Sequence, residues 1–208
     1  MTKIIDWRRM ILAELPVNED FFVEKYLMDA IQDLCKRTSC FTEDIADTSV
    51  ATQGSHTLTV VTANAKLVKF LYAKYKLITL ETKTRGEMTH LNSQWENVDG
   101  TPIYTIYDGG NSIRWSKKPD TTGDAVQFTV AIMPTDIENS DIPEPIDDEH
   151  LETVKDYVKW KFYLQPEFFN EKLATYHQKR YVEGRGKLRI SVLTGFTGSA
   201  VVQQTSFV

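Results

Sequence analysis

The residues able to bind a metal or act as nucleophiles are few and badly spaced for either task. Two cysteines, Cys35 and Cys40, stand five apart, and the four histidines are His56, His90, His150 and His177. A zinc site draws four ligands from closely spaced pairs, and these histidines are scattered without that spacing. Cys35 falls on the apolar side of a predicted helix, which suits a buried free thiol. A Cys35–Cys40 disulfide is not expected in a reducing compartment. The acidic stretch Asp136-Ile-Glu138-Asn-Ser-Asp141 lacks the central glycine and final glutamate of a calcium loop, so it reads as a solvated connector. No cofactor is expected.

Nucleotide and acyl-transfer chemistry find no better support. The chain has no GxxxxGK[ST], no G-x-G-x-x-G after a strand and no G-x-S-x-G. Glu183-Gly-Arg-Gly186 reads as the end or a bend of a helix. Ser191 and Ser199 lie near no histidine in sequence, and nothing argues for a triad. The expectation is a protein that is not an enzyme. One alternative is a nucleic-acid-binding protein using the basic clusters Arg114–Lys118 and Arg185–Arg189. Arg114-Trp-Ser-Lys-Lys118 pairs cations with an aromatic, the combination that stacks on single strands. Against it, Trp115 alternates with Ile113 on a core-facing side.

With no pocket chemistry in view, the elements carry the reading. The chain has 208 residues, 41% apolar and 25% charged, with a net charge of −5. That is ordinary for a folded domain and too acidic for a surface that grips nucleic acid throughout. No apolar stretch reaches the ~20 residues of a membrane span, and the start lacks the pattern of a signal peptide. A protein made and used in a cytoplasm is expected, with no membrane partner.

A short helix over 3–14 ends at Leu15-Pro16. A second begins near Asn18 as N-cap and runs to about Arg37. Its apolar residues Phe21, Phe22, Val23, Tyr26, Leu27, Met28, Ala30, Ile31, Leu34 and Cys35 cover about twice the usual core-facing arc. Such a helix is sandwiched between two layers, or between its own core and a neighbouring subunit. Alternating runs at 56–61, 67–72, 77–80 and 125–132 predict strands, and Gly109-Gly110 marks a hairpin turn between PIYTIY and SIRW. Residues 84–95 fit either a helical turn or an extended link. The strands form a small antiparallel sheet at about 56–133, inserted between helical segments.

Residues 134–147 form a proline-containing acidic connector, and helices follow over about 148–192, interrupted at Pro166. Eight acids and no Lys or Arg lie in 136–152, whereas 167–208 carry six bases against three acids. That asymmetry suits head-to-tail contact between copies, and equally a solvated loop beside an ordinary charged helix. Eight aromatics fall between Tyr157 and Tyr181 on more than one face. They fit an interface or packing under the sheet equally well. Phe22, Tyr26, Met28, Trp160, Tyr163, Tyr176, Arg180, Arg185, Lys187 and Arg189 are the candidate subunit-interface residues. The last fourteen residues carry no charge. Their apolar side chains Phe196, Val201, Val202, Phe207 and Val208 read as a partner-binding arm that orders by strand addition or in a groove. The other reading is a last strand of the chain's own sheet. The fold class is α+β: mainly a helical bundle with the inserted sheet, one domain over 1–194 and an extended arm over 195–208.

Four stretches resemble the head–tail adaptor family of tailed bacteriophages, the portal-to-tail connectors. They are Tyr26-Leu-Met-Asp-Ala-Ile-Gln-Asp-Leu-Cys-Lys-Arg-Thr38, Gly100-Thr-Pro-Ile-Tyr104, Ile113-Arg-Trp-Ser-Lys-Lys-Pro119 with Val126–Ile132 and Met133-Pro134, and Asp141-Ile-Pro143 leading into the aromatic helices. Gln165-Pro166 departs from the family pattern in a short connection between the late helices. The resemblance implies a structural protein of the virion neck, made in the host cytoplasm. It implies a homo-oligomeric ring, typically a dodecamer, beneath the portal protein. Tail or nozzle proteins would be its other partners, and genomic DNA would pass through without sequence-specific contact.

Overall fold

The computed structural model describes residues 3–16, 20–107, 109–143, 146 and 150–196, with residues 195 and 196 described by backbone alone. The chain forms two compact units, one of residues 1–41 and 133–208 and one of residues 42–132. The first is helical. It contains α1 (Asp6–Leu12), α2 (Asp20–Thr38), α4 (Leu151–Phe162) and α5 (Glu171–Phe196). The second holds the strands and the short α3 (Arg85–Leu91).

In the helical unit α2 packs against α1, α4 and α5. Its buried residues Val23, Leu27, Ala30, Ile31, Leu34 and Cys35 recur every three or four positions, as a core-facing stripe must. Phe21 lies outside that stripe and is 81% exposed. Trp7 and Ile11 of α1 and Val154, Val158 and Phe162 of α4 complete the apolar centre. Pro166 stops α4 as expected; a single 3-10 turn, Pro166–Phe168, separates it from α5. The Glu183-Gly-Arg-Gly186 stretch neither ends nor breaks α5, which continues to Phe196. The connector is pinned at Lys3, whose Nζ lies 2.9 Å from the Asp141 carboxylate. Within it, Asp136 accepts from the backbone N–H groups of Glu138 and Asn139 at 2.9 and 3.1 Å, a turn built on its own side chain.

The sheet departs from the expected small antiparallel insertion. Among the described residues it has seven strands: β1 (Thr42–Thr48), β2 (Ser55–Thr57), β3 (Ala65–Tyr75), β4 (Ile78–Lys83), β5 (Tyr104–Tyr107), β6 (Ser112–Trp115) and β7 (Ala125–Pro134). They are ordered β1-β7-β3-β4-β5-β6-β2. It is also mixed, because β4 and β5 run parallel, with Glu81 opposite Tyr104 and Lys83 opposite Ile106. The crossover that parallel pairing demands is supplied by α3 and a 3-10 turn at Trp95–Asn97. A capping box starts α3: the Thr84 side chain accepts from Glu87 N–H while the Glu87 carboxylate accepts from Thr84 N–H. The β5–β6 hairpin turns through Gly109 and Gly110 at φ of 94° and 67°, as the double glycine predicts.

The inward alternation expected of Val126, Phe128, Val130 and Ile132 is present, but Thr129, Ala131 and Met133 are buried too. β7 is covered on both faces over that stretch. The sheet curls until its two edge strands approach each other. His56 Nδ1 of β2 lies 3.2 Å from the Asp47 carboxylate of β1. The Glu43 carboxylate of β1 accepts from the N–H groups of Val61 and Thr62, just past β2, at 2.6 and 3.0 Å. Inside the curl the rings of His56, Tyr75, Trp115 and Phe128 pack together, Trp115 stacked on Phe128 at 5.6 Å.

Candidate functional site

The expected interface residues lie on α2, α4 and α5 of the helical unit, and their surroundings are set by how α5 sits on its neighbours. Ala174, Tyr181 and Leu188 of α5 are buried at seven-residue intervals, with His177 and Gly184 partly buried between them. That is the seam of two helices packed along their length. Gly184 is required there, since a Cβ at this position would overlap the Thr153 side chain of α4.

Two carboxylates tie the seam. Asp156 of α4, only 5% exposed, accepts from His177 Nδ1 at 2.7 Å and from Arg180 Nε at 3.0 Å. Asp33 of α2 accepts from the Tyr181 hydroxyl at 2.6 Å and from Arg37 Nε at 2.8 Å, with Arg185 at 3.6 Å. Burial pushes the Asp33 carboxyl up, yet the hydrogen bonds from Tyr181 and Arg37 and the nearby guanidinium charges outweigh it. The group is held below the ordinary carboxylate range. Burial and the Asp33 charge together push the Tyr181 phenol well above its ordinary value. Burial, then the charges of Asp29 and Asp33, push Tyr157 up to about 12. A third carboxylate, Glu14, pairs with both Lys155 and Lys159 of α4 at 2.6 Å.

Most of the aromatic cluster of residues 157–181 therefore packs among the chain's own helices, while Phe169 is 63% exposed. Trp160 stacks on Tyr181, Tyr163 lies parallel to His177 at 5.8 Å, and Phe22 and Tyr26 lean on each other with Phe22 edge-on to Phe162. Phe22, Tyr26, Met28, Trp160 and Tyr163 remain partly accessible, and Tyr176 is 53% exposed. Arg180 and Arg185 are engaged by Asp156 and Asp33, while Lys187 and Arg189 stand on the exposed side of α5.

Round the helix from the seam, α5 carries a second apolar face that sequence reading missed. At about 100° per residue, Val182, Gly186, Ile190 and Leu193 share one side, turned roughly 100–180° from Ala174, Tyr181 and Leu188. All four are exposed, Val182 at 46% and Ile190 at 63%. Lys179 and Arg189 flank them. A spacing of four and three along 182–193 was the available signal, hidden by the glycine in its second place. Of the arm residues, Val201, Val202, Phe207 and Val208 and the side chain of Phe196 lie outside the described residues.

Elsewhere the sequence candidates are dispersed. Among the described residues no three of His, Cys, Asp and Glu are grouped to hold a metal ion, and no helix is long and apolar enough to cross a membrane. Trp115 is 1% exposed, so its ring is turned into the sheet and away from any strand it would stack upon. Arg114 lies 3.7 Å from Glu96, itself bonded to Arg85. No curated protein matches the chain. Residues 2–203 match the family described as SU10 adaptor protein.

Proposed function

The chain belongs to the SU10 adaptor protein family, a family of phage adaptor proteins, and on that premise we propose that it is a structural head–tail adaptor of a tailed-phage virion. Copies form a ring beneath the portal, dock tail components and continue the DNA channel. The observation that carries the ring is the outer face of α5. This helix is already satisfied on its seam side, yet it presents Val182, Ile190 and Leu193 to solvent. Exposed apolar rows on a helix are where a second protein packs. Phe22, Tyr26, Met28, Trp160, Tyr163 and Tyr176 supply further apolar area. Arg180, Arg185, Lys187 and Arg189 supply charge opposite to the acids of the connector on an adjoining copy. The arm of residues 195–208, whose first two residues continue α5, reaches the portal through Phe196, Val201, Val202, Phe207 and Val208. Affinity comes from repetition around the ring, with no catalytic step.

Electron microscopy of the purified protein, alone and mixed with portal rings, tests the reading. Rings seated on the portal are the expected result. Particles that stay single at every concentration and do not attach to portals overturn it. A nucleic-acid-binding role predicts instead that the isolated protein binds DNA with a steep salt dependence.

A further inference from the structure

The end of α2 brings the only two thiols of the chain together. Ser39 adopts the left-handed conformation, φ 56°, and its N–H bonds back to the Cys35 carbonyl at 2.9 Å. This is a helix stop in which the chain reverses over its own last turn. The residue after the reversal is Cys40, which returns over Cys35. Both side chains are buried, at 0% and 4% exposure, and both are free. The Cys35 thiol hydrogen-bonds to Cys40. The Thr38 hydroxyl donates to the Leu34 carbonyl at 2.8 Å and accepts the Cys40 N–H at 3.3 Å, which fixes the loop between the sulfurs.

We propose that Cys35 and Cys40 form a modifiable dithiol, closed to an intrachain disulfide by a small-molecule disulfide and reopened by a small thiol. Burial raises both thiols, whereas the hydrogen bond from Cys35 acts on the two sulfurs in opposite senses. The bond holds the Cys40 thiol below its ordinary value against burial, whereas the same bond and burial raise Cys35. Cys40, at 4% exposure the more accessible of the two sulfurs, is the first nucleophile. It loses its proton and attacks one sulfur of the small disulfide. That S–S bond breaks, and the departing thiolate takes up a proton. Cys35 then loses its proton and attacks the Cys40 sulfur, expelling the second small thiolate, which is protonated in turn. The protein gives up two protons and two electrons, and the small disulfide becomes two thiols. Exchange proceeds as the last turn of α2 opens beside the exposed Lys36 and Arg37. The bond then fixes the turn on which the chain passes from the helical unit to the strands, since Phe41 is the last residue of one and Thr42 the first of the other.

The full chain equilibrated in a series of glutathione buffers, then acid-quenched and alkylated, gives the test. The expected product is a monomer lighter by two hydrogens that takes up no alkylating agent. The same titration in urea measures the pair when nothing holds it together. The folded chain is expected to favour the disulfide roughly tenfold or more over the unfolded one. By linkage the oxidised protein then resists urea better than the reduced protein. Equal or weaker closure in the folded chain, or mixed glutathione adducts in place of the intrachain bond, overturns the proposal. Cys40→Ser fixes the adduct baseline for Cys35 alone.

Discussion

Gly184 of α5 lies directly against the side chain of Thr153 of α4, closer than any residue with a Cβ could sit. Two positions on, Gly186 faces open space, with nothing within 4 Å of where a methyl group would stand. The two glycines of one short run therefore do opposite things. Gly184→Ala forces the helices apart and is expected to cost about 1–3 kcal/mol as overpacking does. Gly186→Ala removes only a helix-weakening residue and is expected to gain up to about 1 kcal/mol. Urea unfolding of the two variants checks the pair, and a loss of similar size at both positions contradicts the seam.

Asp156 is the buried anion of that seam, held by His177 and Arg180. Asp156→Ala leaves both partners beside a low-dielectric space with no counter-charge. The expected loss is on the order of 2–3 kcal/mol, below the fully buried case because Arg180 keeps contact with water. Asp156→Asn keeps one acceptor and loses less. Chemical denaturation at neutral pH separates them.

Asp124 in the sheet unit gives an acid limb of known direction. Its hydrogen bonds from Thr121 and Tyr75, with Lys76 at 3.0 Å, hold its carboxyl at about 2. The folded value is below the unfolded one, so its contribution is present above about pH 4 and is lost as pH falls towards about 2. Asp124→Asn is expected to flatten the stability profile in that window and leave its shape at higher pH unchanged. Carboxyl carbon NMR of the wild type is expected to show a midpoint at about 2 for this residue.

The outer face of α5 is tested by charge. Val182→Glu with Ile190→Lys changes exposed residues only and is expected to leave the unfolding free energy of the monomer within about 0.5 kcal/mol of the wild type. The same pair is expected to abolish ring formation, read by mass photometry. Rings that persist with unchanged stability remove α5 from the interface.

Deleting residues 195–208 tests the arm apart from the ring. Rings are expected to form and fail to attach to portals. Loss of folding on deletion makes the segment part of the core instead.

The sequence made some elements legible because their pattern is local. The stripe of α2, the glycine turn at 109–110, the core-facing Trp115 and the stop at Pro166 all follow from short-range spacing. β1 did not, because Thr42–Thr48 is an edge strand of largely exposed residues, TEDIADT, with no apolar alternation to read. The parallel pairing of β4 with β5 is decided by a crossover and not by either strand, so the small antiparallel sheet was the natural but incorrect reading. The seam of α5 was masked by Gly184, which reads as the end or a bend of a helix in sequence and acts as a contact in space. The polar ties are longer range still: Asp33 and Tyr181 lie 148 positions apart, and nothing in either neighbourhood announces the other.

His56 and Asp47 join the two margins of the sheet, and Glu43 occupies the backbone donors of Val61 and Thr62 beside them. An open sheet margin is a template on which another chain can crystallise into a fibre. Here side chains of one margin hold the other, and the donors of Val61 and Thr62 are taken. Crowded copies find fewer open donors beside that margin, which favours assembly through side chains on helices, where geometry can limit the number that join.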